Sequence, residues 1–228
     1  EVNMNIVPSR VFSGLYIIMD CVFLLILGAM LFFSKRRRAL FFGLFGGLLY
    51  FIVDYGIFYR ALGARVVEGA PTGPFLFWLS MSYGFTNFAW IYLMLDKDEY
   101  RVEWSVFIFF YWIAEALLSE NFGSSWPIIS ISRTTTSYHG VMALILIVGY
   151  LILIVENIFF KKKINILYLL FIGITVQLGW ETALLVTGIR QSGMETLVIN
   201  SLIETNLGLP YIYHIHKYID ERFGKEKR

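Results

Sequence analysis

Five carboxylic acids stand inside long apolar stretches of this chain: Asp20, Asp54, Glu115, Glu181 and Glu204. An ionisable group at membrane depth is costly, so it faces a bundle interior and marks function. Crowded carboxyls in a dry site separate into a protonated and an ionised member, a proton donor beside an acceptor. Residues three, four or seven positions away share a helix face, and here they are polar or aromatic. Tyr50 aligns with Asp54, Tyr111 and Trp112 with Glu115, Gln177 with Glu181 (Trp180 adjacent), and Asn200 with Glu204, while Tyr83 and Asn87 form a stripe of their own. One cavity lined by all of these is expected, with Asp54, Glu204 and Glu181 as catalytic candidates. Asp20, Glu115, Tyr50, Tyr83, Asn87, Tyr111, Trp112, Gln177, Trp180 and Asn200 are the candidates for substrate binding. Aromatic residues make up 18% of the chain, and aromatic faces attract cations, which suits a cationic ligand or a transient carbocation.

The elements that must position these groups follow from composition. Of 228 residues, 57% are hydrophobic and 16% charged, with mean hydropathy +0.65. That is too few charges to cover a soluble globule, which averages about 25%. The charges cluster and leave seven apolar stretches at about 12–33, 39–60, 75–95, 104–120, 140–160, 164–188 and 197–217, each near the ~20 residues that cross a bilayer core. The expectation is an all-α polytopic membrane protein, a single seven-helix bundle over 1–228. Four connections carry 14 of the 19 Lys and Arg residues: 34–38 (SKRRR), 96–101 (DKDEYR), 161–163 (KKK) and the tail from Lys217. With seven spans they fall on one side, which the positive-inside rule makes cytoplasmic, leaving the N-terminus outside and the C-terminus inside. All five acids then lie in the outer half. The outer basic residues, Arg10, Arg60, Arg65, Arg133 and Arg190, are all arginine, and Arg60 and Arg190 stand at helix ends where they would neutralise acids below. Glu156, beside the Lys161–Lys163 run, is expected to make an interfacial ion pair.

The outer connection 61–74 is expected to be irregular, and 120–139 is expected to be an exposed connector or a lid. Gly208-Leu209-Pro210 should kink the last helix. The N-terminal apolar run is too long and too polar at Asp20 for a cleavable signal, and Met4 is the expected native start. Net charge +2 leaves no nucleic-acid footprint, and the single Cys21 forms no intrachain disulfide. The last helix has no mid-membrane lysine for a retinal Schiff base, and neither HExxH nor GxSxG occurs. His139, His214 and His216 read as interfacial, so no metal or other cofactor is expected. The acidic turn DKDE at 96–99 has no second acidic cluster to face it.

Seven spans in so short a chain, with an acid in the second and another in the last, resemble the small integral-membrane terpene cyclases of fungal meroterpenoid and indole-diterpene pathways. The resemblance implies protonation of an epoxide or olefin by one membrane acid, assisted by a second in the last helix, which by position are Asp54 and Glu204. The family's helix-two acid usually follows Trp, whereas Val53 precedes Asp54 here and the Trp-Glu pair is Trp180–Glu181. Either Asp54 or Glu181 could therefore hold the donor role.

The residues fit such chemistry in their own right. Proton-initiated cyclisation needs a neutral acid in a dry site and apolar walls that fold an isoprenoid entering from the bilayer, so the expected partners are membrane lipid and a lipid-soluble substrate. A proton- or cation-coupled transporter is the alternative, disfavoured by the nearly pure apolar inner halves of the helices. A seven-helix ligand sensor ranks third. The expected location is the cell membrane.

Overall fold

The computed structural model describes residues 10–133, 139–190 and 194–224. Seven helices account for most of them. α1 spans Gly14–Phe33, and α2 runs Arg37–Ala61, π-helical from Ile52 onward. α3 covers 72–95, with a π-helical turn at Met81–Phe85 between its α-helical halves Thr72–Ser80 and Thr86–Leu95. α4 spans Arg101–Phe122, α5 His139–Phe159, α6 Ile166–Val186 and α7 Met194–Phe223. The apolar periods of the sequence thus mark the helices to within a few residues. Five of them, α1, α2, α4, α5 and α6, are long and apolar enough to cross a membrane.

Burial is inverted relative to a soluble protein. Leu25, Phe33, Phe41, Leu144 and Leu167 are exposed on the outside, while Asp20, Glu115 and Glu181 are wholly buried. This is the distribution expected when lipid is the outer solvent. Small residues let α2 and α3 approach closely. A Cβ on Gly46 would lie 2.2 Å from the Phe88 side chain, and one on Gly84 would lie 2.9 Å from the Gly47 backbone. Asn206 of α7 sits over Gly173 of α6 in the same way. Pro210 lies inside α7, which continues helical through it, and its ring packs against Gly149 of α5.

The connections expected on the outer side depart from expectation. Arg10–Ser13 (β1), Arg65–Glu68 (β2) and Ile128–Arg133 (β3) form an antiparallel sheet in the order β1-β3-β2, with Arg10 opposite Ile131 and Val67 also opposite Ile131. The stretch expected to be irregular, 61–74, and the one expected to be a connector or lid, 120–139, therefore each supply a strand. The reason is local: Val66-Val67 and Ile128, Ile129 and Ile131 are β-branched, and Ile129–Ser132 alternates apolar and polar residues. Ile129, Ile131 and Phe12 are buried, and Phe12 packs on Trp78, ring centroids 5.3 Å apart. β1 leads directly into α1, whose N-cap Ser13 accepts from the Tyr16 amide and shares a 2.6 Å hydrogen bond with Ser119 of α4.

The basic connections gather at the opposite end. Arg36 donates to both Asp98 oxygens (2.8 and 3.1 Å), and Arg38 donates to the Phe223 carbonyl (3.1 Å). Glu156 pairs with Lys162 at 2.7 Å, as expected at that border.

Candidate functional site

The two π-helical segments carry the residues of greatest chemical interest. A π turn widens the helix and re-aims its side chains, and such turns concentrate at functional sites. The segment in α2 carries Asp54 and Phe58, and the one in α3 carries Tyr83. Between them and α7 lies a cavity of about 310 Å³. Its walls are mainly apolar, with Leu49, Val53, Phe88, Ile91, Leu207 and Ile212 among them, and Met142 of α5 closes one side. Its polar groups are Asp54, Arg65, Tyr50, Tyr83, Asn87 and Thr205. Of the lining residues, Leu49 is exposed at the rim, beside exposed Leu48 and Ile52 in α2, and Met142 stands next to exposed Val141 in α5. The rim therefore faces the lipid-type exterior.

Asp54 is 6% exposed and takes a charge-assisted hydrogen bond from Arg65 Nη2. The partner is not Arg60, as the sequence suggested. Arg60 is exposed and lies over the Tyr55 ring, 5.4 Å from its centroid. After Ala61 the chain reverses through Gly63, at φ +60°, and the Ala64 amide bonds the Phe58 carbonyl at 2.7 Å. This brings β2 back over the end of α2, with the Arg65 guanidinium 5.0 Å above the Phe58 ring.

Glu181 sits in a second cluster. Arg190 donates to it through Nε and Nη2 (the latter 2.7 Å), Gln177 Nε2 donates at 3.2 Å, and Arg10 Nη2 lies 3.8 Å away. The expected neutralisation by Arg190 is present, and Arg10 from β1 joins it. Gln177 in turn accepts from Thr205 Oγ1 at 2.7 Å, which links this cluster to the cavity wall.

A third cluster joins α1, α3 and α4. Asp20 accepts from Trp78 Nε1 (2.8 Å) and Ser82 Oγ (3.0 Å). The Glu115 carboxyl, wholly buried, faces Asp20 and the Tyr16 hydroxyl. Neither Glu115 oxygen reaches hydrogen-bond geometry with a described residue. Trp78 and Ser82, one turn apart, lie on a different face of α3 from the expected Tyr83–Asn87 stripe, and α3 is buried on nearly every side from Trp78 to Met94.

An aromatic series runs between the clusters. Tyr50 meets Tyr83 at 4.8 Å, Tyr83 stacks on Trp180 at 5.8 Å, and Trp180 meets Trp112 edge-on at 4.9 Å. Tyr111 packs on Phe23 at 4.7 Å. Of the expected site residues, Asp54, Tyr50, Tyr83 and Asn87 line the 310 Å³ cavity. Asp20, Glu115, Glu181, Tyr111, Trp112, Gln177 and Trp180 are not on its wall, so the expected common lining divides into neighbouring clusters. Electrostatics contributes to the division, since Asp20, Asp54 and Glu181 each hold donors of their own. Asn87 is buried with neither amide atom bonded to a described residue, leaving a hydrogen-bonding amide at the cavity. The side chains of Glu204 and Asn200 lie outside the described residues. Their positions in α7 fall one and two turns before Gly208, a lining residue.

Arg65, Arg10 and Thr205, like Trp78 and Ser82, are site residues that the sequence reading missed. The exclusive use of arginine on the side expected to be outer was the available hint for Arg65 and Arg10. Comparison with protein-family models, with curated proteins and with solved structures found no match.

Proposed function

We propose that this protein is a membrane-embedded cyclase that takes a lipid-soluble isoprenoid, bearing an epoxide or olefin, into the α2–α3–α7 cavity and rearranges it by acid–base chemistry. The observation that carries this reading is the cavity itself: apolar and aromatic, rimmed by lipid-facing side chains, with one buried carboxylate–guanidinium pair on its wall. A volume of about 310 Å³ lies at the lower end for small-molecule sites, roughly 300–1,000 Å³.

Asp54 is paired with the Arg65 guanidinium, and in this reading it serves as counter-ion to the developing carbocation and as the base that takes the final proton. The same logic removes Glu181 as donor, since Arg190 grips it. Glu204 then becomes the donor: it protonates the epoxide oxygen or an olefin carbon, neighbouring double bonds attack in turn, and loss of a proton ends the sequence with no net change in formula. Tyr50, Tyr83 and Phe58 offer π faces to the cation, and dry walls delay its capture by water.

The test is conversion of epoxidised and plain polyprenyl arenes by the protein in lipid nanodiscs, followed by mass spectrometry. An isomer of unchanged mass should form, and Asp54→Asn and Glu204→Gln should each slow it by about 10²–10⁴-fold, the usual worth of a positioned acid or base. Undiminished conversion by both variants, or no isomer from any substrate in the panel, would defeat the proposal.

A further inference from the structure

A second cavity, of about 490 Å³, opens at the basic end of the bundle, far from Asp54 in the fold. It is framed by the turn between α3 and α4, the turn before α6, and Tyr213 of α7. Lys97, Arg101 and Lys163 supply three cations to its lining, and no acidic residue belongs to that lining. Of the three acids in the α3–α4 turn, Asp98 is held by Arg36, Glu99 lies 3.8 Å from Arg36 Nη2, and Asp96 faces His216 at 3.9 Å. α4 begins at Arg101 and α6 at Ile166, so two positive helix ends add to the field.

The floor has the opposite character. Ile164 and Leu169 are buried there, beside the half-buried Leu95 and Tyr168, and the Tyr168 hydroxyl is fixed by a 2.7 Å bond to the Met94 carbonyl. Three exposed cations over an apolar floor match a molecule with an anionic head and a greasy tail. Arginine engages phosphate oxygens in pairs, while lysine adds point charge. Basic pockets between helices on the inner face of membrane proteins are recognised in this way by phosphate-bearing lipids.

We propose that the Lys97–Arg101–Lys163 pocket binds the phosphate group of an anionic amphiphile. The source is a phospholipid of the surrounding leaflet or a prenyl phosphate, which share that chemistry. The inference stands apart from the cyclase reading and survives its failure.

The experiment is native mass spectrometry of the full chain released from detergent with dioleoylphosphatidylglycerol or dioleoylphosphatidylcholine, with and without inorganic pyrophosphate. Wild type should retain one phosphatidylglycerol at least tenfold better than phosphatidylcholine. The variant Lys97→Asn/Arg101→Gln/Lys163→Asn should lose that preference; asparagine is chosen because Lys97 and Lys163 have φ of 51° and 55°, which Asn tolerates. Removing three charges from the same face outside the pocket, by Lys35→Asn/Arg37→Gln/Lys161→Asn, should leave the preference intact. Displacement by pyrophosphate supports a site that a bare phosphate group fills, and retention in its presence supports one that needs the tail. Equal retention by the pocket variant, or equal loss in the control, would overturn the proposal. Should the triple variant fail to fold, Lys163→Glu must still weaken retention about tenfold while Lys163→Arg preserves it, and any other pattern counts against the site.

Discussion

Arg190 and Glu181 show how single residues set the chemistry of this interior. Both are buried, and the guanidinium meets the carboxylate through two donors. Such a pair is costly to break on one side because the remaining charge is stranded, by about 3–5 kcal/mol. Arg190→Met should therefore lower the thermal unfolding midpoint in detergent sharply. Arg190→Met combined with Glu181→Gln should recover most of that loss, because the neutral amide keeps its contact with Gln177. If the double variant is no more stable than the single, the two side chains do not act as a pair. The Arg190 pairing was legible in the sequence because the arginine follows shortly after the helix that carries the acid. Arg65 was not, since its reach to Asp54 depends on a chain reversal and on strand pairing that no local pattern encodes.

At the scale of elements, glycine and π turns shape the site more than hydropathy does. Gly46 and Gly47 of α2 admit Phe88 and Gly84 of α3, and this approach brings Tyr50 onto Tyr83 at the cavity wall. Gly46→Leu cannot be accommodated without moving Phe88, and overpacking of this kind costs typically ~1–3 kcal/mol. A fall in the unfolding midpoint with loss of ligand binding is expected, and an unchanged midpoint would mean that α2 and α3 are not in close contact. The helices themselves were legible because a 3.6-residue element of lipid-crossing length leaves a long apolar run between charged turns. The π turns were not, because an extra residue per turn leaves the composition unchanged while rotating every side chain beyond it. Trp78 and Ser82 were overlooked for a different reason: they lie one turn apart on another face of α3, a helix buried nearly all round. The sheet was half-visible: Ile129–Ser132 alternates like a strand, yet its Gly- and Pro-containing surroundings read as loop.

For the molecule as a whole, the polar groups divide between two ends. Arginines delivered by strands and a helix end cover the acids at one end, and lysine-rich turns frame a basic pocket at the other. Between them, the exterior is apolar and the α2–α3–α7 cavity meets it at the Leu49 rim. The expectation of acids facing the interior is met for Asp20, Asp54, Glu115 and Glu181. Their sharing of one lining was beyond sequence reasoning, because depth along a helix says nothing of which neighbour a side chain meets. The most direct measurement is photo-crosslinking with a diazirine-bearing polyprenyl epoxide in nanodiscs, followed by peptide mapping. Labelling should concentrate on the α2 and α7 segments around Val53 and Ile212 and fall when unlabelled substrate competes. Labelling spread over Leu25, Leu144 and Leu167 on the outer surface, indifferent to competitor, would contradict a substrate cavity beside Asp54.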